Sequence, residues 1–332
     1  MHPLLRAGAE RRMGLFTAAD ARRAGYEHTE IRRLRASGEW VRLRRGVYTS
    51  ADRLAAHEER GRRHRVDCLA VLLELQRPTT AISHGSAALL WGLPVRRRLV
   101  TTVRLTDPTL SRRGRGYQVL QAPLRDGEVV RRGPLVLTSP ARTLVDCARE
   151  WTPDDAVVAM DAALLAGTVT ARELALGAAS MRGWARIDRA LRAVALADGR
   201  AESPLETRGR LRIVGAGLPL PALQTEIRVD GRLVGVLDAW FEDAAVAVEF
   251  DGRIKYTQPW RDRTAGRVLW EEKRREDELR SLDIRVVRIA DADLDARWPR
   301  TEARLRELLL AGGPVVRRFT ATPRTLGRLR TA

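Results

Sequence analysis

The stretch that most restricts the fold runs from Ala222 to Gly252, "ALQTEIRVDGRLVGVLDAWFEDAAVAVEFDG". Asp230-Gly231 sits between two apolar runs, a hairpin signal, because both residues tolerate the positive φ that a tight turn demands. "EDA" at 242–244 turns the chain again. Three consecutive antiparallel strands follow. On the last, the period of two puts Val246, Val248 and Phe250 on one face and Ala247, Glu249 and Asp251 on the other. Asp238, near the end of the preceding strand, falls beside Glu249. Carboxylates among apolar residues are costly unless they are protonated, paired with base or bound to a cation. Hard oxygen ligands of this kind suit Mg²⁺ or Mn²⁺.

The flanks extend the pattern. Ser203, Pro204 and Glu206 form a cap, a first-turn proline and a capping-box acid, so a helix opens here and ends at Gly215 or Gly217. From the residues alone Glu206 is read as a capping acid. After the strands, "RVLWEEKRREDELRSL" reads as a helix and "DIRVVRIA" as a strand. Of the 60 basic residues only Lys255 and Lys273 are lysine, and both follow the acidic strands. Lysine is a compact point charge where arginine is a wide fork, so a site that needs a single ammonium cannot substitute arginine.

The other end carries a different signal. In "GLFTAADARRAGYEHTEIRRLRASGEWVRLRRGVYTS", Thr17 and Asp20 make a capping pair for a short helix that Gly25 ends. A second helix runs from about Glu30 to Ser37, burying Ile31 and Leu34 and turning Arg32, Arg33 and Arg35 outward. "WVRLRRGVYT" then alternates around Gly46 as a two-stranded wing bearing Arg42, Arg44 and Arg45. This is a winged helix-turn-helix over residues 1–52, with the second helix expected in a major groove and the wing on phosphate. Residues 53–197 read as an α+β region: a long helix over 53–77, a helix from Ser83 to Gly92, strands within 99–138, and helices from Ser139 onward, the first with Arg142 and Asp146 paired four apart. His84 reads as a polar residue at a helix start. This middle region offers no nucleophile, metal spacing or phosphate loop.

The formal net charge of +18 points to a polyanionic partner, although GC-rich coding also inflates arginine. At 332 residues, 44% hydrophobic and 31% charged, the chain is long enough for two or three globular domains. No apolar run approaches a membrane span. Cys68 and Cys147 are too few and too far apart for a disulfide framework or a zinc site, and a cytoplasmic location is the expectation.

Two resemblances organise these readings. The winged helix, then "SHGSAALLWGLP", then "TSPARTLVDCARE" resemble AbiEi-type antitoxins over roughly residues 10–180. That resemblance implies promoter binding, repression of the protein's own operon, and a cognate toxin as partner in a toxin–antitoxin or phage-defence system. Residues 200–295 resemble the very-short-patch-repair-like branch of the PD-(D/E)xK endonucleases. It implies a restriction-endonuclease-like αβββαβ core over 198–297, followed by a C-terminal helix and basic tail over 298–332. By the same resemblance Asp238 and Glu249 hold Mg²⁺ or Mn²⁺, and Glu206 matches the acid of the first helix. Asp251 stands where the superfamily usually has lysine, leaving Lys255 or Lys273 to complete the site, and Asp283 replaces a common glycine. The expected class is thus a multidomain α+β and α/β protein with DNA as partner. Either it is a metal-dependent endonuclease, or it is a repressor whose nuclease fold only binds.

Overall fold

The computed structural model describes residues 1–251 and 265–325. The chain divides into two compact units, Met1–Trp151 with Arg172–Leu191, and Thr152–Ala171 with Arg192–Ala332. No helix among the described residues is long and apolar enough to cross a membrane.

The first unit opens with α1 (Pro3–Glu10), β1 (Phe16–Thr17), α2 (Ala18–Arg23), α3 (His28–Ala36), β2 (Trp40–Arg44) and β3 (Val47–Ser50). The strands form a small sheet in the order β1-β3-β2. The Thr17/Asp20 capping box is present: Asp20 N donates to Thr17 Oγ1 at 3.1 Å and Thr17 N to Asp20 Oδ2 at 2.8 Å. α1 and α3 fold onto this sheet through Leu5, Ala9, Ile31 and Leu34, which cluster with Phe16, Trp40 and Tyr48. The helix read over 53–77 is in fact two, α4 (Ala51–Glu59) and α5 (Arg63–Leu75). The break falls at Gly61, whose φ of +64° no helix interior adopts.

Beyond them come β4 (Ala81–Ile82), α6 (His84–Leu90), β5 (Val103–Asp107), β6 (Arg112–Gly114), β7 (Tyr117–Gln121), β8 (Val129–Arg132), β9 (Leu135–Thr138) and α7 (Pro140–Glu150). The six strands order as β6-β7-β5-β4-β9-β8, with short basic strands at both edges. α5 covers this sheet, packing Val66 and Leu69 among Leu105, Val119 and Leu137. The Arg142–Asp146 pair forms at 2.7 Å and is buried. Arg149 also reaches Asp146, at 3.1 Å, and Trp184 lies 5.0 Å from both guanidiniums. His84 is buried, its Nδ1 2.8 Å from Ser83 Oγ, and burial pushes its pKa down, keeping the ring neutral.

The chain then supplies α8 (Pro153–Leu165) to the second unit and α9 (Ala171–Ser180) to the first, and the boundary falls within α10 (Ile187–Leu196). The second unit continues with α11 (Pro204–Gly215), β10 (Ala222–Val229), β11 (Arg232–Phe241), β12 (Val246–Asp251), α12 (Ala265–Ser281), β13 (Arg285–Ala290), α13 (Trp298–Leu310) and β14 (Thr320–Pro323). Its sheet orders as β13-β12-β11-β10-β14, with β12 and β13 parallel and the other pairs antiparallel. The alternation read on β12 holds. Val246, Val248 and Phe250 pack with Ile213 of α11 and Leu305 of α13, whereas Ala247 joins Leu237, Trp240 and Leu279 of α12. α8 is tied to α11 through Asp161, which accepts from Thr207 Oγ1 at 2.8 Å and Arg210 Nη2 at 2.9 Å. The first part of the basic tail is ordered: β14 pairs with β10, and Phe319 meets Trp240 edge-on at 5.9 Å.

Candidate functional site

Two places in the molecule gather functional side chains, one in each unit. In the first, burial of Ile31 and Leu34 against the wing fixes the roll of α3. Arg32, Arg33 and Arg35 are consequently exposed, as are Arg42 and Arg45 on the wing. Arg12 and Arg23 pair with Asp20, but none of these five is held in an ion pair among the described residues. Arg44 behaves differently. Its side chain is half-buried, donates to the Arg115 carbonyl, and lies 5.4 Å from the centre of the Tyr117 ring.

Charge is divided unevenly between the units. The first holds 33 of the 60 Lys and Arg but only 17 of the 42 Asp and Glu, so nearly all of the +18 resides there. Genome composition would inflate arginine in both units alike. A surplus confined to the unit with the winged helix is a local electrostatic property that attracts polyanions.

In the second unit the strand register builds a polar row. Leu223 pairs with Ala239 and Thr225 with Leu237, which sets Gln224 level with Asp238. Ala239 pairs with Val248, and Asp238 lies one residue beyond that pair, close enough for its charge to act on Glu249. Glu249 in turn pairs with Arg288. Four strands thus contribute one polar residue each. Two helices add to the row: Glu206 from α11 accepts from Gln224 Nε2 at 3.2 Å, and Arg275 Nη2 from α12 lies 2.7 Å from Glu249 Oε1. Val236, Asp238, Glu249, Phe250, Asp251, Arg275 and Arg288 line a cleft of about 90 Å³.

Its electrostatics are those of crowded acids. Burial, then the neighbouring Asp238 charge, pushes Glu206 up to about 6. Burial also raises Glu249, opposed by Arg275 and reinforced by Asp238. Asp238 Oδ2 accepts from Phe250 N at 2.8 Å. Both Glu249 oxygens face guanidiniums: Arg275 Nη2 lies 2.7 Å from Oε1 and Arg288 Nε 3.8 Å from Oε2. Among the described residues, no three His, Cys, Asp or Glu side chains converge closely enough to hold a metal between them.

Of the acids singled out in the sequence, Asp238, Glu249 and Asp251 line the cleft, whereas Glu206 is outside its lining and reaches the row through Gln224. The structure does not bring Lys273 with them. That residue is exposed on α12 and is absent from the cleft lining, while the cations beside Glu249 are Arg275 and Arg288. Lys255 lies outside the described residues. Asp283, the residue in place of a glycine, has φ of +60°, the left-handed region where glycine is otherwise favoured.

Gln224 was missed. It is 2% exposed with φ of +50°, and a buried polar side chain in a strained strand position marks a functional or structural demand. The available signal was one amide inside the otherwise strand-like "ALQTEI".

Residues 4–51 match the family described as "Transcriptional regulator, AbiEi antitoxin". Over 275 residues the chain is 29% identical to two uncharacterized proteins of Mycobacterium tuberculosis, MT2308 of strain CDC 1551 and Rv2248 of strain H37Rv. The alignment covers 81% of this chain and 92% of each relative.

Proposed function

We propose that this protein is a DNA-binding transcriptional regulator of the antitoxin type, with α3 in the major groove and the wing on the backbone. The observation that carries this reading is the outward arginine face of α3 and the wing, on the unit that owns the positive charge. The match of residues 4–51 supports it. A toxin encoded beside it is the protein partner this reading expects.

The test is binding to a duplex taken from upstream of its own coding region. Replacing Arg32, Arg33 and Arg35 by Ala should remove the preference for that duplex over a random one, because base-edge contacts carry about 1–3 kcal/mol each. An unchanged preference would refute the placement of α3.

A second reading is favoured by the row of carboxylates in the second unit: hydrolysis of a phosphodiester with a divalent cation. The fold around it, one helix, three antiparallel strands, a helix and a parallel strand, is compatible with the nuclease resemblance. Asp238 and Glu249 would hold Mg²⁺ or Mn²⁺. Two carboxylates are within what Mg²⁺ takes, since it keeps several waters, but Glu249 is paired with Arg275 and Arg288, which an ion would have to displace. When bound, such an ion activates water and stabilises charge on the scissile phosphate. Asp251 takes the position of the usual lysine, and the cations beside Glu249 among the described residues are Arg275 and Arg288. Supercoiled plasmid with Mg²⁺ tests this against Asp238→Ala and Glu249→Gln. Nicking by the wild type alone supports the site, whereas nicking by all three or by none removes it.

A further inference from the structure

The β6–β7 hairpin carries a run, "SRRGRGY" from Ser111 to Tyr117, for which the winged module does not account. Arg112, Arg113 and Arg115 are exposed, and no Asp or Glu occurs in the chain between Asp107 and Asp126. None of the three is held in an ion pair among the described residues. The turn is built tightly. Gly116 has φ of +72°, and a Cβ on Gly114 would stand 2.2 Å from the Tyr117 ring.

This hairpin is joined to the wing. Arg44, the one wing arginine turned inward, donates to the Arg115 carbonyl and lies over Tyr117, while Arg112 sits 6.0 Å from the same ring. Two guanidiniums therefore share one aromatic ring with no carboxylate beside them. Like charges held this close repel, and a nearby polyanion relieves the repulsion. Through Arg44 the wing is therefore held against the hairpin that carries three exposed arginines.

We propose that the β6–β7 hairpin is a second contact with the DNA backbone, braced by Arg44, so that wing and hairpin grip the same duplex. The proposal rests on the DNA-binding reading above and extends its footprint beyond residue 51. Backbone contacts position a protein without reading sequence, so the hairpin should add affinity and salt sensitivity but no base preference.

The test uses the full chain and fluorescence anisotropy on two labelled duplexes, the upstream sequence and a random one, between about 50 and 200 mM salt. Arg112, Arg113 and Arg115 are changed together to Ala, and separately together to Lys. A charge-matched control changes Arg172, Arg182 and Arg189, all exposed in the same unit, to Ala. The expected result is a slope of log K against log salt shallower by about 2–3 for the Ala hairpin variant. Weakening should be equal on both duplexes, with near-wild-type slopes for the Lys variant and the control. A hairpin Ala variant with the wild-type slope, or a control that loses as much, overturns the proposal while leaving the regulator reading intact. Failure of the wild type to bind either duplex refutes both.

Discussion

Glu206 illustrates how one side chain can serve the helix and the site at once. Ser203 Oγ caps the helix by accepting from Glu206 N at 3.2 Å, while the Glu206 carboxylate accepts from Glu202 N at 2.8 Å, one residue before the cap, and so ties down the entering chain rather than closing a capping box. The same carboxyl faces Asp238, and its pKa is pushed to about 6. The native state therefore holds a proton there that the unfolded chain releases near 4.5. Stabilisation from this group is complete below about pH 4.5 and fades as pH climbs through about 6. Glu206→Gln is neutral throughout and lacks that dependence. The stability difference between the two proteins should shift by about 2 kcal/mol in favour of the variant between about pH 4.5 and 7.5, measured by urea denaturation. Both readings were open from the sequence, because capping boxes and acidic ligands use the same residue. Gln224 was not legible as a site residue, since its part depends on strand register.

At the level of elements, α11 can bring Glu206 to the row only because it approaches β12 closely. Gly209 makes that approach possible: a Cβ there would stand 1.9 Å from Phe250 Cε1. Gly209→Ala should lower stability by about 1–3 kcal/mol or more, and the double change with Phe250→Leu should recover part of the loss, read from thermal unfolding. The helices and the three acidic strands were legible, since caps and a period of two mark them directly. The short strands β6 and β8 were not. Their arginine-rich sequences lack the β-branched and aromatic residues that signal strands, and only pairing with β7 and β9 holds them extended. The split of α4 from α5 escaped too, because "ERGRRH" continues a charged helical face and only the backbone at Gly61 reveals the break.

Across the whole molecule, composition announced a basic protein but not where the charge sits. Only the division into units shows that the second is nearly balanced, as suits a part that would host carboxylates, while the first has the surplus. From the sequence the tail is legible only as a basic segment without acids. Its pairing with β10 is non-local and leaves no local mark beyond Phe319. That pairing means the last described residues shield the flank of the five-stranded sheet, with Pro323 at its outer limit. Ending the chain at residue 316 would strip this cover and leave the main-chain amides and carbonyls of Ala222–Val229 open to a second molecule's strand. Such a shortened protein should self-associate in light scattering at concentrations where the full chain does not. An affinity handle therefore belongs at the amino terminus only if it spares the winged module, and at the carboxyl terminus only if β14 is left intact.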